Sequence, residues 1–173
     1  MNVHLRPLEP KDAPFMYEWM TDPDITKFFR FEAARITRES CEAFIEASSA
    51  QPNTVHFAIA DENDEYLGTI SLKDVDREKQ QAEYAISTRK KAHGSGVALE
   101  ATRLILQYAF EELGLKRVYL NVLVENGRAN AFYRKAGFRF VREEPEALEL
   151  RGMRKPLNWY EMLQVSFHQK NSQ

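Results

Sequence analysis

Cysteine is almost missing from this chain: Cys41 is the one cysteine in 173 residues. A lone thiol forms no internal disulfide and no cysteine metal site. Cys41 falls on the apolar side of an expected helix with no base beside it in sequence, so it reads as a buried structural thiol and not a nucleophile. Long apolar runs are missing too; nothing approaches the roughly 18 consecutive residues of a membrane-spanning helix. The start, Met1-Asn2-Val3-His4-Leu5-Arg6, lacks the basic-then-apolar plan of a secretory signal. The expectation is a cytoplasmic protein with no membrane partner. A basic surplus is also missing. The net charge is −2 and the pI about 6.1, which argues against a nucleic-acid partner. Four histidines, at positions 4, 56, 93 and 168, are scattered without ligand spacing, so no metal is expected.

What is present suits one globular domain over residues 1–173, with 43% hydrophobic and 29% charged residues. Val3–Leu8 alternates as a short strand ended by Pro7 and Pro10. Asp12 is placed to cap a helix carrying Phe15, Trp19 and Met20, which Thr21-Asp22-Pro23-Asp24 ends. An aromatic cluster, Phe28-Phe29-Arg30-Phe31, leads to a second helix capped by Thr37. His56–Ala60 and Tyr66–Leu72 read as hairpin strands, with Gly68 marking a bulge. Ala82–Ser87 is a further strand. A long helix over about Gly96–Leu113 has apolar stripes on a wide arc and stops at Gly114. The strand Arg117–Val124 follows, then a short helix capped by Asn126 and ended at Gly137. Phe138–Arg142 is a strand, Glu143–Arg154 a charged loop, Asn158–Val165 the last strand, and His168–Gln173 a frayed tail. The order β-α-α-β-β-β-α-β-α-β-β predicts a mixed α/β sheet with antiparallel hairpins and a central β-α-β crossover.

The turn Lys91-Ala92-His93-Gly94-Ser95-Gly96 follows a strand and opens the long helix. Its glycines permit close backbone approach, and the unpaired first amides of a helix together with its dipole attract phosphate. The basic residues fall in two groups, Arg89–His93 and Arg128, Arg134, Lys135, which reads as two local anion sites in an acidic protein. No G-K-[ST] follows a glycine-rich loop, and the third glycine of a dinucleotide fingerprint is absent. A G-x-S-x-G elbow around Ser95 would need glycine at position 93.

These pieces recur together. Lys91-x-x-Gly94-x-Gly96 opens the helix, followed by Glu112-Leu113-Gly114-Leu115, Val118-Tyr119-Leu120-Asn121-Val122, Glu125-Asn126, and Ala129-Asn130-Ala131-Phe132-Tyr133-Arg134-Lys135-Ala136-Gly137-Phe138. From Ile86 through Phe140 the chain closely resembles the GNAT N-acetyltransferase superfamily. Leu5-Arg6-Pro7-Leu8…Asp12 and Trp19-x-x-Asp22-Pro23 resemble its ribosomal-protein, polyamine and amino-sugar branch.

The resemblance implies the GNAT fold: a mixed, mostly antiparallel seven-stranded sheet with helices on both faces. It implies acetyl-CoA as acyl donor. Pantetheine would lie along Ile86 and Ser87 in a V-shaped splay between the strand ending near Ser87 and the strand Val118–Val124. The pyrophosphate would sit on Lys91, Ala92, His93, Gly94, Ser95, Gly96, Val97 and Ala98, with Asn126 and Ala129 completing the cofactor site. Lys91 stands where the family has Gln or Arg; it supplies charge without a planar fork. Acyl transfer to an amine needs a deprotonated amine, donors for the oxyanion and a proton for the departing thiolate. Tyr133 matches the family's acid. For the base, Gln81 stands where many relatives have Glu, and Glu83, two residues on, shares its strand face; Asn121 and a chain of waters are alternatives. The acceptor would be a primary amine of a small molecule or a protein N-terminus. Its walls are expected from Trp19, Phe28, Phe29, Phe31 and Trp159, with an acidic run Glu143, Glu144, Glu146, Glu149 at the rim. Many relatives are homodimers through their last strands. Two alternatives stay open: a non-catalytic acyl-CoA-binding module and an unrelated nucleotide-binding α/β domain.

Overall fold

The computed structural model describes residues 2–171. Seven strands form one sheet: β1 (Val3–Pro7), β2 (Val55–Asp61), β3 (Tyr66–Asp76), β4 (Gln81–Thr88), β5 (Arg117–Leu123), β6 (Arg139–Leu150) and β7 (Met153–Leu163). Their order across the sheet is β1-β2-β3-β4-β5-β7-β6. Neighbours are antiparallel except β4 and β5, which are parallel and joined by the crossover helix α4 (Val97–Gln107). The remaining helices are α1 (Ala13–Met20), α2 (Pro23–Thr26), α3 (Arg38–Ala47), α5 (Gly127–Lys135) and α6 (Gln164–Asn171).

Strand alternation builds a core on each face of the sheet. Ile59, Ile70, Leu72, Ala82 and Tyr84, with Val118 of β5, point toward α4 and α5, where they meet Val97, Ala101, Ile105 and Tyr133. Ala58 and Tyr66 point the other way, onto Met16 and Trp19 of α1 and Cys41 and Ile45 of α3. Adjacent residues such as Ala58 and Ile59 thus serve opposite cores, the period-two rule at work. Cys41 is buried, as its helix position predicts. Thr37 and Ser40 close a reciprocal capping box at the start of α3.

The long crossover helix runs as α-helix to Gln107 and then takes a π turn over Tyr108–Glu112, with Leu113 N–H bonded to Tyr108 O at 3.1 Å. A register shift falls between Ile59 and Ala60, opposite Gly68 and Tyr66, so the bulge expected at Gly68 is present.

Four readings need correction. Asp12 does not cap α1: its carboxylate is taken by the Arg6 guanidinium, two bonds of 2.9 Å, and by the Glu9 amide at 2.8 Å. Pro23–Thr26 does not simply end a helix; Asp22 caps it as α2 by accepting the Asp24 amide. Glu143–Arg154 is not a loop. β6 continues to Leu150 and turns through Arg151 (φ 50) and Gly152 (φ 81) into β7. Two successive positive φ angles make the tight hairpin turn that matches strand twist. The charge that disguised the strand belongs to an exposed sheet edge, where charged residues discourage unwanted pairing. Finally, the last strand stops at Leu163 rather than Val165, and helix α6 starts at Gln164 and takes in residues 168–171 of the expected tail, with Phe167 packed on Phe110 at a ring-centroid distance of 5.3 Å. The rest of the expected tail, residues 172–173, lies outside the described residues.

Candidate active site

The parallel pair β4–β5 holds for three residue pairs: Gln81 with Arg117, Ala82 with Val118 and Glu83 with Tyr119. Beyond Glu83 the strands part, so Tyr84–Thr88 has no β5 partner among the described residues. This is the expected V, and its inner edge offers unpaired peptide groups to an extended ligand.

A cleft of about 590 Å³ opens from the splay. It is lined by Ile86, Ser87, Ala92, His93, Gly94, Gly96, Ala98, Asn126, Ala129 and Tyr133 from the expected set, joined by Thr88, Leu99, Arg128 and Lys135. Gly94 (φ 75) and Gly96 (φ 83) are both left-handed, and Gly96 is the N-cap of α4. Among the described residues, the amides of Gly94, Gly96, Ala98 and Leu99 have no protein acceptor. The neighbouring amides of Ala92, His93, Ser95 and Val97 do have one. All four unbonded amides belong to residues on the cleft wall. Four free N–H groups at a helix N-terminus make an anion cradle.

Three expected cofactor residues stand off the wall: Lys91, Ser95 and Val97. Val97 is buried in the core, and Ser95 Oγ caps the turn, receiving the Val97 amide at 3.3 Å. Lys91 is ion-paired with Glu65, and Lys90 with Asp24 (3.0 Å) and Asp22 (3.5 Å). The first basic cluster is thereby neutralised. Positive charge on the wall comes instead from Arg128 and Lys135 of the second cluster and from Lys27. Burial, and then Arg128, hold the His93 imidazole below its ordinary pKa, so it adds little charge near neutrality. Arg89 is spent on structure. Its guanidinium binds Glu18 of α1 (2.8 and 3.1 Å), Glu65 (3.0 Å) and the Tyr66 carbonyl (3.0 Å), and lies over the Phe15 ring.

Tyr133 sits one turn beyond Asn130, the residue that fixes α5. Asn130 donates to Leu123 O (3.0 Å) and Asn126 O (2.8 Å), and accepts from Asn158 (2.9 Å) and the Tyr160 hydroxyl (2.7 Å). Asn126 caps α5 through the Ala129 amide at 3.2 Å. The Tyr133 ring is enclosed by Tyr84, Phe138 and Tyr160, and its hydroxyl has no hydrogen-bond partner among the described residues. Burial pushes its pKa up to about 12, so it is a proton-bearing group facing the cleft at neutral pH.

A second cavity, about 350 Å³, lies on the opposite face of the sheet. Met16, Trp19 and Met20 of α1, Cys41 and Phe44 of α3, His56 of β2, Ser71 and Lys73 of β3, and Ala85 of β4 form its walls. Ile86 and Ser87 line both cavities, so the two meet through the splay. Of the expected acceptor walls, Trp19 is in this cavity. Phe28 and Phe29 face the larger cleft, Phe31 packs in the α1/α3 core, and Trp159 lies beside Tyr119 and Arg142 in neither. The acidic run Glu143–Glu149 is on β6 and lines neither cavity. Glu83 also lines neither. Its carboxylate is paired with Lys73 at 3.4 Å and accepts from Asn121 Nδ2 at 3.1 Å. His56 and Ser71 were missed; their 15-residue separation carries no motif, and pairing of β2 with β3 brings them together.

Comparison with known proteins agrees with this geometry. The model of the acetyltransferase (GNAT) domain family matches residues 2–139. The chain is 30% identical over 142 residues to a spermidine N(1)-acetyltransferase of Escherichia coli K12, covering 79% of this chain and 73% of that protein. It is 28% identical over 168 residues to a Bacillus subtilis protein provisionally named a ribosomal N-acetyltransferase, YdaF, covering 94% and 91%. In fold it is similar to a Vibrio cholerae spermidine N-acetyltransferase solved with CoA and spermine, with a TM-score of 0.85 at 23% identity over 96% of this chain and 98% of that one. With a splayed strand pair, a four-amide anion cradle and a matching family model in hand, the chain belongs to the GNAT acetyltransferase family and is an acetyl-CoA-dependent N-acetyltransferase.

Proposed function

We propose that the protein acetylates a primary amine of a small molecule, with acetyl-CoA in the larger cleft and the acceptor in the smaller cavity. The observation that carries this is the shared wall of Ile86 and Ser87, which lets a thioester from one side meet an amine from the other. A direct ternary-complex reaction needs that junction and no covalent enzyme intermediate. In this reading the pantetheine arm lies along Tyr84–Thr88, the pyrophosphate takes the free amides from Gly94 to Leu99, and Arg128 and Lys135 supply charge.

Relatives that act on spermidine raise the question of polycations. The ionisable residues lining the acceptor cavity are Lys73, His56 and Cys41, with no carboxylate among the described residues. A lysine and apolar walls disfavour a chain of ammonium groups and favour a single amine on an uncharged or anionic body, such as an amino sugar. The test follows CoA release with an amino sugar, spermidine and a peptide N-terminus offered in parallel. The amino sugar is expected to give the highest kcat/KM. Spermidine ahead by tenfold would reverse the assignment of charge, and the peptide ahead would move it to protein N-termini.

Tyr133 is the proton donor to the departing sulfur in this reading. Raised to about 12, it lies well above an ordinary thiol near 8.5, so full transfer costs about 5 kcal/mol and Tyr133 works chiefly by hydrogen-bond donation. Replacing Tyr133→Phe is expected to lower kcat by about tenfold or more while the KM for acetyl-CoA stays within about threefold. The sign of the shift fixes the pH profile. A raised pKa keeps the proton on as pH rises, so the wild type has no alkaline fall from Tyr133 below about pH 11. A limb near pH 9 that Tyr133→Phe removes would contradict this, and full activity of the variant would take Tyr133 out of the reaction.

A further inference from the structure

We propose that Ser71 and His56 form the route by which the acceptor's proton leaves the smaller cavity: Ser71 Oγ takes a proton from the ammonium and gives its own hydroxyl proton to His56 Nδ1. The inference rests on the assignment of that cavity to the amine.

The geometry gives each atom one role. Ser71 Oγ and His56 Nδ1 are 2.6 Å apart, and both residues are on the cavity wall. The other ring nitrogen, Nε2, is 3.1 Å from Gln51 Oε1. An amide oxygen only accepts, so Nε2 carries the hydrogen and Nδ1 holds the free lone pair. The Ser71 hydroxyl therefore points at His56, and its own lone pairs are left for an N–H in the cavity. The imidazole is set by the Phe44 ring, with centroids 4.9 Å apart. Gln51 is exposed, so the chain ends in solvent. This is the nucleophile-side logic of a base oriented by a third group, used here to move a proton.

Strand pairing puts the chain beside the reacting atoms. His56 pairs with Ser71, Ser71 with Ala85, and Ser87 is two residues further along β4. Diagonal neighbours on a sheet are about 7–8 Å apart, a gap that an amine spans, alone or with one water.

Charges around His56 favour the neutral ring. Lys73 of β3 faces the same cavity and is ion-paired with Glu83 of β4 at 3.4 Å. Cys41 of α3 faces it as a thiol whose pKa is raised by burial. Arg6 of β1 is held by Asp12 and Asp64. Burial and then Lys73 lower the His56 pKa, so the base is unprotonated at neutral pH. Lys73 also makes a nearby ammonium easier to deprotonate.

The protons balance. The ammonium brings three N–H bonds; one stays on the amide, one ends on the CoA thiol, and one leaves through Ser71 and His56 as Nε2–H is released toward Gln51 and water. The C–S bond of the thioester breaks as the C–N bond forms.

The test is CoA release from acetyl-CoA by the full chain, from pH 5.5 to 10, with the fastest amine of the panel, for wild type, His56→Gln and Ser71→Ala. Wild-type kcat/KM for the amine should fall as pH drops through a value below 6.5, where His56 takes up its proton. Each variant should be at least about tenfold slower near pH 7, with acetyl-CoA KM unchanged. The deficit should close toward pH 10, where an alkylamine sheds its proton unaided. The double variant should be no slower than either single one. A deficit of equal size at every pH, or none, overturns the relay while leaving the amine reading in place. Should no amine turn over, the amine reading fails by itself. Hydrolysis of acetyl-CoA by cavity water then decides the relay: slower hydrolysis in His56→Gln near pH 7 supports it, and equal rates overturn it.

Discussion

Exchanging Gly96 for glutamate is expected to weaken acetyl-CoA binding at least about a hundredfold, a loss of some 2.7 kcal/mol. Two effects add. Gly96 has φ 83, where a side chain costs about 1–2 kcal/mol. The carboxylate would then face the pyrophosphate across the cradle, and like charges at 4 Å repel by about 4 kcal/mol at an effective dielectric of 20, less in an open cleft. A Cβ at Gly96 meets no atom within 4 Å, so the cost to the fold is the backbone strain alone, with no steric clash added. Calorimetric titration of acetyl-CoA into Gly96→Glu and Gly96→Ala separates the effects: the alanine variant carries strain alone and should lose about tenfold or less. Binding to Gly96→Glu within threefold of wild type would remove the cradle from the pyrophosphate site.

Gly68→Ala is expected to act on the fold and the site together. An added Cβ would lie 2.4 Å from Ser87 O and 2.9 Å from Thr88 Cα, both backbone atoms of β4. Neither is the end of a flexible side chain, so the strand must move. Overpacking of this kind costs about 2–3 kcal/mol, and for a domain of this size that lowers Tm by roughly 5–10 °C. Ser87 and Thr88 line the donor cleft, so the KM for acetyl-CoA should rise as well. Scanning calorimetry with steady-state kinetics checks both. A Tm unchanged within 1–2 °C would mean that β3 and β4 are further apart than Gly68 implies. The two glycine variants form a contrast, since Gly96→Glu, with about 1–2 kcal/mol of backbone strain, should lower Tm by less than Gly68→Ala while losing far more affinity for acetyl-CoA.

The crossover unit was legible in the sequence because it is written in local signals. Apolar stripes mark α4, Gly114 stops it, Asn126 caps α5 and Gly137 ends it. What escaped depends on where long side chains reach. Lys91 stands at the cradle in sequence but pairs with Glu65, and Arg128 and Lys135, more than 30 residues on, line the cleft in its place. Asp12 has the position of a helix cap, yet Arg6 claims it. Glu83 has the strand face of a base, but Lys73 and Asn121 hold it outside both cavities. β6 was hidden by its own charges, since alternation is a reliable sign only where one face is buried. The acceptor cavity draws on α1, α3 and three strands at once, and no spacing in the chain encodes such an assembly.

Three residue pairs join the four strands before the crossover to the three after it. In mechanical terms the sheet is two plates on a short hinge, with bare peptide edges facing each other above it. A donor that bonds to one edge and fills the space between braces the plates, and a ligand bound to the folded state alone adds about 2.7 kcal/mol at a hundred times its dissociation constant. The melting temperature of this protein therefore doubles as a gauge of donor occupancy, rising with acetyl-CoA and, through the same edge, with the product CoA.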